Sequence, residues 1–328
     1  MKKFIIGKMI NLADPRLGSK VIFKTDDFFA SVNRVINPSP PIFKEGVFDK
    51  HGKWMDGWET RRRRGKGFDY LILKFGRPGK IFNVDIDTTF FSGNQPMYAS
   101  LEACCSLKKV NSKSKWTKIL NNKKLGPNKN HNFKIKNKSI FNHLKLNIYP
   151  DGGVARLRVY GEIEMKNFNF RNKSINLSSM LNGASIVGCN NEHFGKAENI
   201  LAPGKGKNMG DGWETRRSRG KNFDWLIIKL GNPGIVNKIE VDTHHFKGNY
   251  PDSCTIQAAY ITKKISSYSI VKKSNKWKKL FNKVKLGAHK KHNFINKMLK
   301  KSKTNYLRIN IYPDGGISRI RTYGKVAK

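Results

Sequence analysis

The chain is poor in the features by which enzymes are most often read. Its 328 residues hold 4 cysteines. Cys104, Cys105, Cys189 and Cys254 show no Cys-x-x-Cys spacing, so neither a zinc ribbon nor a dithiol redox centre is written here, and they are expected to be reduced thiols buried in strands. There is no His-Glu-x-x-His, no Gly-x-Ser-x-Gly and no P-loop, which leaves zincin, α/β-hydrolase and P-loop chemistry without support. No apolar run approaches the ~20 residues needed to span a bilayer. The MKKFIIGKMINL start is cut by Lys8 and followed by no small-residue cleavage site, so it does not read as a signal peptide. A soluble, cytoplasmic protein with no membrane partner is the expectation.

Acid is scarce too: 23 Asp and Glu stand against 65 Lys and Arg, a formal charge of +42. A charge of that size suggests nucleic acid as a partner. The lysines, however, are spread over the whole chain and concentrate at 108–138 and 263–303, mixed with Asn and Ile, which suits a drift in composition better than a binding face. No nucleic-acid partner is expected.

What is present is a sentence written twice. DGWETRRRRG at 56–65 returns as DGWETRRSRG at 211–220, and FDYLILKFGRPG at 68–79 as FDWLIIKLGNPG at 223–234. NIYPDGG occurs at 147–153 and 310–316. The period of about 160 residues far exceeds the roughly 20–50 of a solenoid unit, so a whole domain is duplicated. The register pairs Phe29 with Phe194, Asp56 with Asp211, His131 with His292 and Tyr149 with Tyr312. This predicts domains at 1–163 and 177–328 with a polar linker at 164–176.

Helical periodicity is hard to find and strand signals are frequent. Leu144, Leu146 and Ile148 alternate with Lys145, Asn147 and Tyr149, predicting one buried and one exposed face. Leu307, Ile309 and Ile311 repeat this against Arg308, Asn310 and Tyr312. PDGG is a turn. In the strand that follows it, Val154, Arg156, Arg158 and Tyr160 share a face. YLILKF and WLIIKL read as central strands, and KIFNVDIDT and VNKIEVDT as one further strand each. Short strands separated by Gly, Pro, Asn and Asp indicate an all-β chain of two tandem antiparallel sandwiches or jelly rolls.

The segments the copies share hold much of the small stock of acid, which phosphate binding would not need. DGWETRR gathers carboxylates, an indole, a hydroxyl and guanidiniums in seven residues. Read plainly, it is a loop tied by internal ion pairs, with Trp58 plugging one end. Read functionally, it is a site. Arg61, Arg62, Arg156 and Arg158, with Arg216, Arg217, Arg319 and Arg321, are arginine in a chain that otherwise uses lysine. The planar fork suits bidentate carboxylate recognition, although pairing with nearby aspartates is the rival reading. His131 and His292 occupy matching HNF sites, and histidine is the side-chain type suited to proton exchange near neutrality, so they are candidates for proton transfer or substrate binding. The second copy adds His193 and the pair His244 and His245 where the first has Phe28, Thr89 and Phe90.

LADPRLGSKVIFKTDDFFA at 12–30, DGWETRR, VDIDTTFFSGNQP at 84–96 and NIYPDGGVARLRVYG at 147–161 resemble the first half of the allantoicase family. NNEHFGKAENILAPG at 190–204, NMGDGWETRRSRG at 208–220, VDTHHFKGNYPDSC at 241–254 and NIYPDGGISRIRTYG resemble its second half. The resemblance implies two jelly-roll repeats related to galactose-binding-like sandwiches and a homo-oligomer. It also implies hydrolysis of allantoate to ureidoglycolate and urea in purine (allantoin) degradation. Asp211, Glu214 and His245, with Asp56 and Glu59 in the first copy, become candidates for the catalytic groups. Arg61, Arg62, Arg156, Arg216, Arg217 and Arg319, with Asp151, Asp314, His131 and His292, become candidates for holding the small carboxylate substrate. No cofactor is required by the sequence, and a divalent ion such as Mn²⁺ stays open. The rival of a different class is a sandwich that binds a sugar-like ligand without turning it over.

Overall fold

The computed structural model describes residues 4–165, 170, 173–218, 222–295 and 302–327. The chain folds as two units. One is Ile10–Glu164; the other joins the chain from Met165 onward to the N-terminal residues through Met9. Residues 166–169 and 171–172 of the expected linker lie outside the described residues. Its end belongs to a sheet: Ser174–Asn176 pairs antiparallel with Arg319–Val326.

Both units are antiparallel β-sandwiches of the jelly-roll type, as the alternation predicts. Each is organised by one 19-residue strand, Asp69–Asp87 and Asp224–Asp242. The sequence suggests two strands here, broken at GRPG and GNPG. The structure runs straight through and changes neighbours instead. Asp69–Lys74 lies between Lys20–Lys24 and Ile140–Tyr149, whereas the stretch through Asp87 lies between Arg156–Ile163 and Asn130–Lys134. Proline lacks the N–H that a ladder needs and is tolerated at such an irregularity. Tyr98–Cys104 and Thr117–Lys124 complete the first layer. The second unit repeats the plan with Lys303–Tyr312, Ser253–Ala259 and Lys278–Lys285. There Ser185–Cys189 has an additional partner, the N-terminal strand Ile5–Ile6.

Leu71, Leu73, Ile81, Val84, Ile86, Leu144, Leu146, Ile148 and Leu157 are fully buried in the first unit. The face of Ile140–Tyr149 expected to be exposed is largely buried as well. Lys145 is 7% exposed, pairs with Glu102 at 3.0 Å and lies over the Tyr70 ring; Asn147 donates to Ser100 and Glu102. A strand in the middle of a layer is covered on both sides, so its polar residues must find partners there. In the second unit Arg308 takes the place of Lys145, donating to Asn310 and Ser274 beneath Trp225. Burial pulls its pKa down to about 10.

The second unit also holds a short α-helix that the periodicity does not reveal, Ser267–Lys273, capped by the Ser266 hydroxyl accepting from Ser269 N. Its Ile270 and Val271 pack with Val187, Ile227 and Tyr306. All four cysteines are free. Cys104, Cys189 and Cys254 are buried as expected, but Cys105 is exposed. Burial pushes the Cys104 thiol up to about 11 and the Cys189 and Cys254 thiols to about 12. No helix among the described residues is long and apolar enough to cross a membrane.

Candidate active site

The two repeated motifs, 92 residues apart between Thr60 and Gly152 and 100 between Thr215 and Gly315, are one structure. Trp58–Glu59 pairs antiparallel with Gly153–Val154, and Trp213–Glu214 with Gly316–Ile317. Thr60 and Thr215 clamp the turn through their hydroxyls, which accept from Gly152 N at 3.0 Å and Gly315 N at 3.1 Å. Trp58 and Trp213 are completely buried, and their indoles donate to the carbonyls of Asp26 and Asn191, both at 2.7 Å. The tryptophan is therefore a plug and an anchor, and it sets the carboxylate that follows it at the mouth of the sandwich.

A third segment meets them. Asn94 Nδ2 donates to Glu59 Oε1 at 2.6 Å, and Asn249 Nδ2 to Glu214 Oε1 at 2.5 Å. No chemical motif in the sequence singles out these asparagines; the signal they leave there is the repeated GNQP and GNYP. Their own backbone is wedged against the PDGG turn, because Gly153 N and Gly316 N donate to the carbonyls of Asn94 and Asn249. Gly152 and Gly315 sit at φ +132° and +129°, and a Cβ there would come within 2.7 Å of those same carbonyls. Glycine is required at both positions.

In the second unit this assembly opens into a cleft of about 530 Å³ lined by Glu214, Arg217, Asn249, Tyr250, Asp252 and Asp314, among others. That size suits a small molecule. Burial raises the pKa of Glu59, while the hydrogen bond from Asn94 opposes the shift.

Of the residues singled out by sequence, the structure brings Glu214, Arg217 and Asp314 together, with Glu59, Arg62 and Asp151 at the matching positions. Asp151 and Asp314 use one carboxylate oxygen on the backbone N–H of Arg63 and Ser218, at 2.7 and 2.6 Å. Arg217 and Arg62 have no partner for their guanidiniums among the described residues. The other candidates have different work. Asp56 and Arg156 pair with each other at 2.6 Å, their side chains 8% and 1% exposed. Arg156 also donates to the carbonyls of Ser39, Pro40, Asp56 and Ala155. Asp211 and Arg319 repeat the pair at 2.6 Å. Arg158 and Arg321 donate to loop carbonyls of Asn37 and Ser39, and of Ile200 and Gly204. These strand arginines hold down the loops ahead of the motif.

The histidines also face away from the cleft. His131 Nε2 accepts from Gly126 N at 2.8 Å, which leaves the proton on Nδ1 to donate to Ile86 O at 3.1 Å. His292 repeats this with Gly287 and Val241, and burial lowers its pKa. With both nitrogens engaged by backbone, neither is placed for proton transfer. His245 donates from Nε2 to Gly206 O at 2.9 Å and packs against His244; it does not line the cleft. Among the described residues no group of three or more His, Cys, Asp or Glu is arranged to hold a metal ion, so the donors do not fit the Mn²⁺ that the resemblance leaves open, and no step below runs through one.

The allantoicase repeat family model matches residues 10–164 and 175–327. A probable allantoicase of Pseudomonas fluorescens (strain Pf0-1) is 49% identical over 98% of this chain and 97% of its own. One of Acinetobacter baumannii (strain SDF) is 46% identical over 99% and 96%. The crystal structure of an allantoicase from Saccharomyces cerevisiae superposes with a TM-score of 0.82 at 34% identity, covering 96% of this chain and 92% of that one. With both repeats matched, the length covered on each side and the fold shared, this chain belongs to the allantoicase family.

Proposed function

We propose that the allantoate hydrolysis that comes with this family runs at the Glu–Asn pair of the motif cleft, with Glu214, and Glu59 at the matching position, as the proton-transferring group. Allantoate carries a carboxylate and two ureido nitrogens on one carbon. A protonated Glu gives its proton to the leaving ureido nitrogen. The C–N bond then breaks with its electron pair going to urea, and the lone pair of the remaining ureido nitrogen forms C=N. Water adds to that carbon through oxygen, and the Glu carboxylate takes the released proton. The products are ureidoglycolate and urea, the Glu returns to its starting state, and one carboxyl serves both halves.

The observation that carries this reading is the repeated hydrogen bond from Asn94 and Asn249 to one oxygen of the glutamate, which leaves the other oxygen to face substrate. Burial lifts the Glu59 carboxyl, the direction an acid working near neutrality needs. Arg217 on the cleft wall is placed to bind the substrate carboxylate through its planar fork. The double variant Glu59→Gln/Glu214→Gln tests it. Urea release from allantoate should fall at least about a hundredfold with the unfolding temperature unchanged; an active double variant refutes the site.

A further inference from the structure

The two Glu–Asn sites are built on one plan but differ in the charge beside the first arginine of their motif. In the first repeat, the Asp26 carboxylate accepts from Arg61 N at 2.6 Å and from Arg61 Nε and Nη2 at 3.2 and 3.0 Å. The guanidinium is held over the Phe28 ring as well, 5.2 Å from its centroid. In the second repeat Asn191 stands where Asp26 does. Its amide oxygen accepts from Arg216 N at 3.3 Å, and the Arg216 guanidinium has no hydrogen bond or ion pair among the described residues. His193 replaces Phe28 and keeps its edge contact with the phenylalanine that follows, 4.5 Å from Phe194 where Phe28 is 5.2 Å from Phe29. Asn191 still performs the structural duty of the position, since its carbonyl receives the buried indole of Trp213 as that of Asp26 receives Trp58. What the exchange removes is a negative charge.

We propose that Asn191 makes the second repeat the one that takes the anionic substrate. Arg216 and Arg217 are consecutive, both unpaired, and Arg217 lines the cleft beside Glu214. Arg217 gives the carboxylate of allantoate its fork and Arg216, outside that lining, adds an unneutralised positive charge next to it in the chain, while in the first repeat Asp26 neutralises the matching Arg61. The inference rests on the placement of the reaction at the Glu–Asn pair. Asp26 and Asn191 are then the residues that set the difference in affinity between repeats, acting through the arginine.

The test is the KM for allantoate of the full chain carrying Arg216→Ala, Arg61→Ala or Asn191→Asp. Arg216→Ala should raise KM about fivefold, the scale of a partly exposed charge interaction. Asn191→Asp should raise it about fivefold, the scale of a partly exposed ion pair, with kcat little changed. Aspartate is the native residue at the matching position of the first repeat, so the backbone there accepts it. Arg61→Ala should leave KM within about twofold of the parent protein. Equal rises for Arg61→Ala and Arg216→Ala, or an unchanged KM in Asn191→Asp, would overturn the inference while the Glu–Asn site stands. An active Glu59→Gln/Glu214→Gln protein removes the site itself, and the inference with it.

Discussion

Replacing Arg156 by alanine separates two readings of the same residue. As a substrate-binding group it would lower turnover and leave the fold alone. As the structure has it, the guanidinium is 1% exposed and donates to four carbonyls and to Asp56. Removing it leaves the Asp56 carboxylate, 8% exposed, with the N–H of Ile42 in place of a charge partner. Breaking a buried pair from one side costs about 3–5 kcal/mol. For a domain of this size each kcal/mol moves the melting temperature by roughly 2–4 °C, so the shift should be about 6–20 °C. Differential scanning calorimetry reads the shift. Urea release, measured well below the new transition, should stay within about twofold of the parent protein. An unshifted transition with lost turnover would refute the assignment and restore Arg156 to the substrate.

Asn94→Ala should raise the pKa of the Glu59 carboxyl further, because the lost hydrogen bond is what opposes the burial shift; an unmoved Glu59 carboxyl resonance in an NMR pH titration counts against the pair. The depressed pKa of His292 means the folded state takes up a proton less readily than the unfolded chain, whose imidazole titrates near about 6.5. Its contribution to stability is complete above that pH and is lost as pH falls through the lower folded value. Melting temperature should therefore drop on acidification, and His292→Gln should flatten the slope. Gly315→Ala places a Cβ 2.7 Å from the Asn249 carbonyl at a φ of +129°, and should cost at least about 1–3 kcal/mol, seen in chemical unfolding.

The fold was legible because two-residue alternation and a long repeat are physical signals in the sequence itself. Leu144, Leu146 and Ile148 announce a strand without help. What was hidden is whatever depends on a partner distant in sequence. Lys145 reads as a solvent-facing residue until Glu102 and the Tyr70 ring are brought to it. The GRPG segment reads as a break because proline and glycine usually mark one, and here they mark a change of neighbours within one strand. Arginine in a lysine-rich chain was an informative signal with two meanings. A rigid five-donor fork suits a ligand carboxylate and suits a set of loop carbonyls equally well. At Arg156 and Arg319 the carbonyls took it, and at Arg216 and Arg217 they did not. The asparagines of the cleft carried no chemical signature of their own. An amide is visible as a positioning group only once the carboxylate it holds is placed beside it.

The strand Ile5–Ile6 completes the edge at Ser185–Cys189, and that has a consequence for the order of events on the ribosome. The segment emerges about 180 residues ahead of its partner, a wait of roughly 10–40 s at ordinary rates of synthesis. The first repeat can fold during that interval with the leader still unattached. A nick between Glu164 and Met165 would not yield two self-sufficient halves: the downstream fragment would lack Phe4, whose ring lies against Trp225 and Tyr268, and would expose a bare sheet edge. A fragment meant to hold the second repeat alone needs the leader rejoined to it.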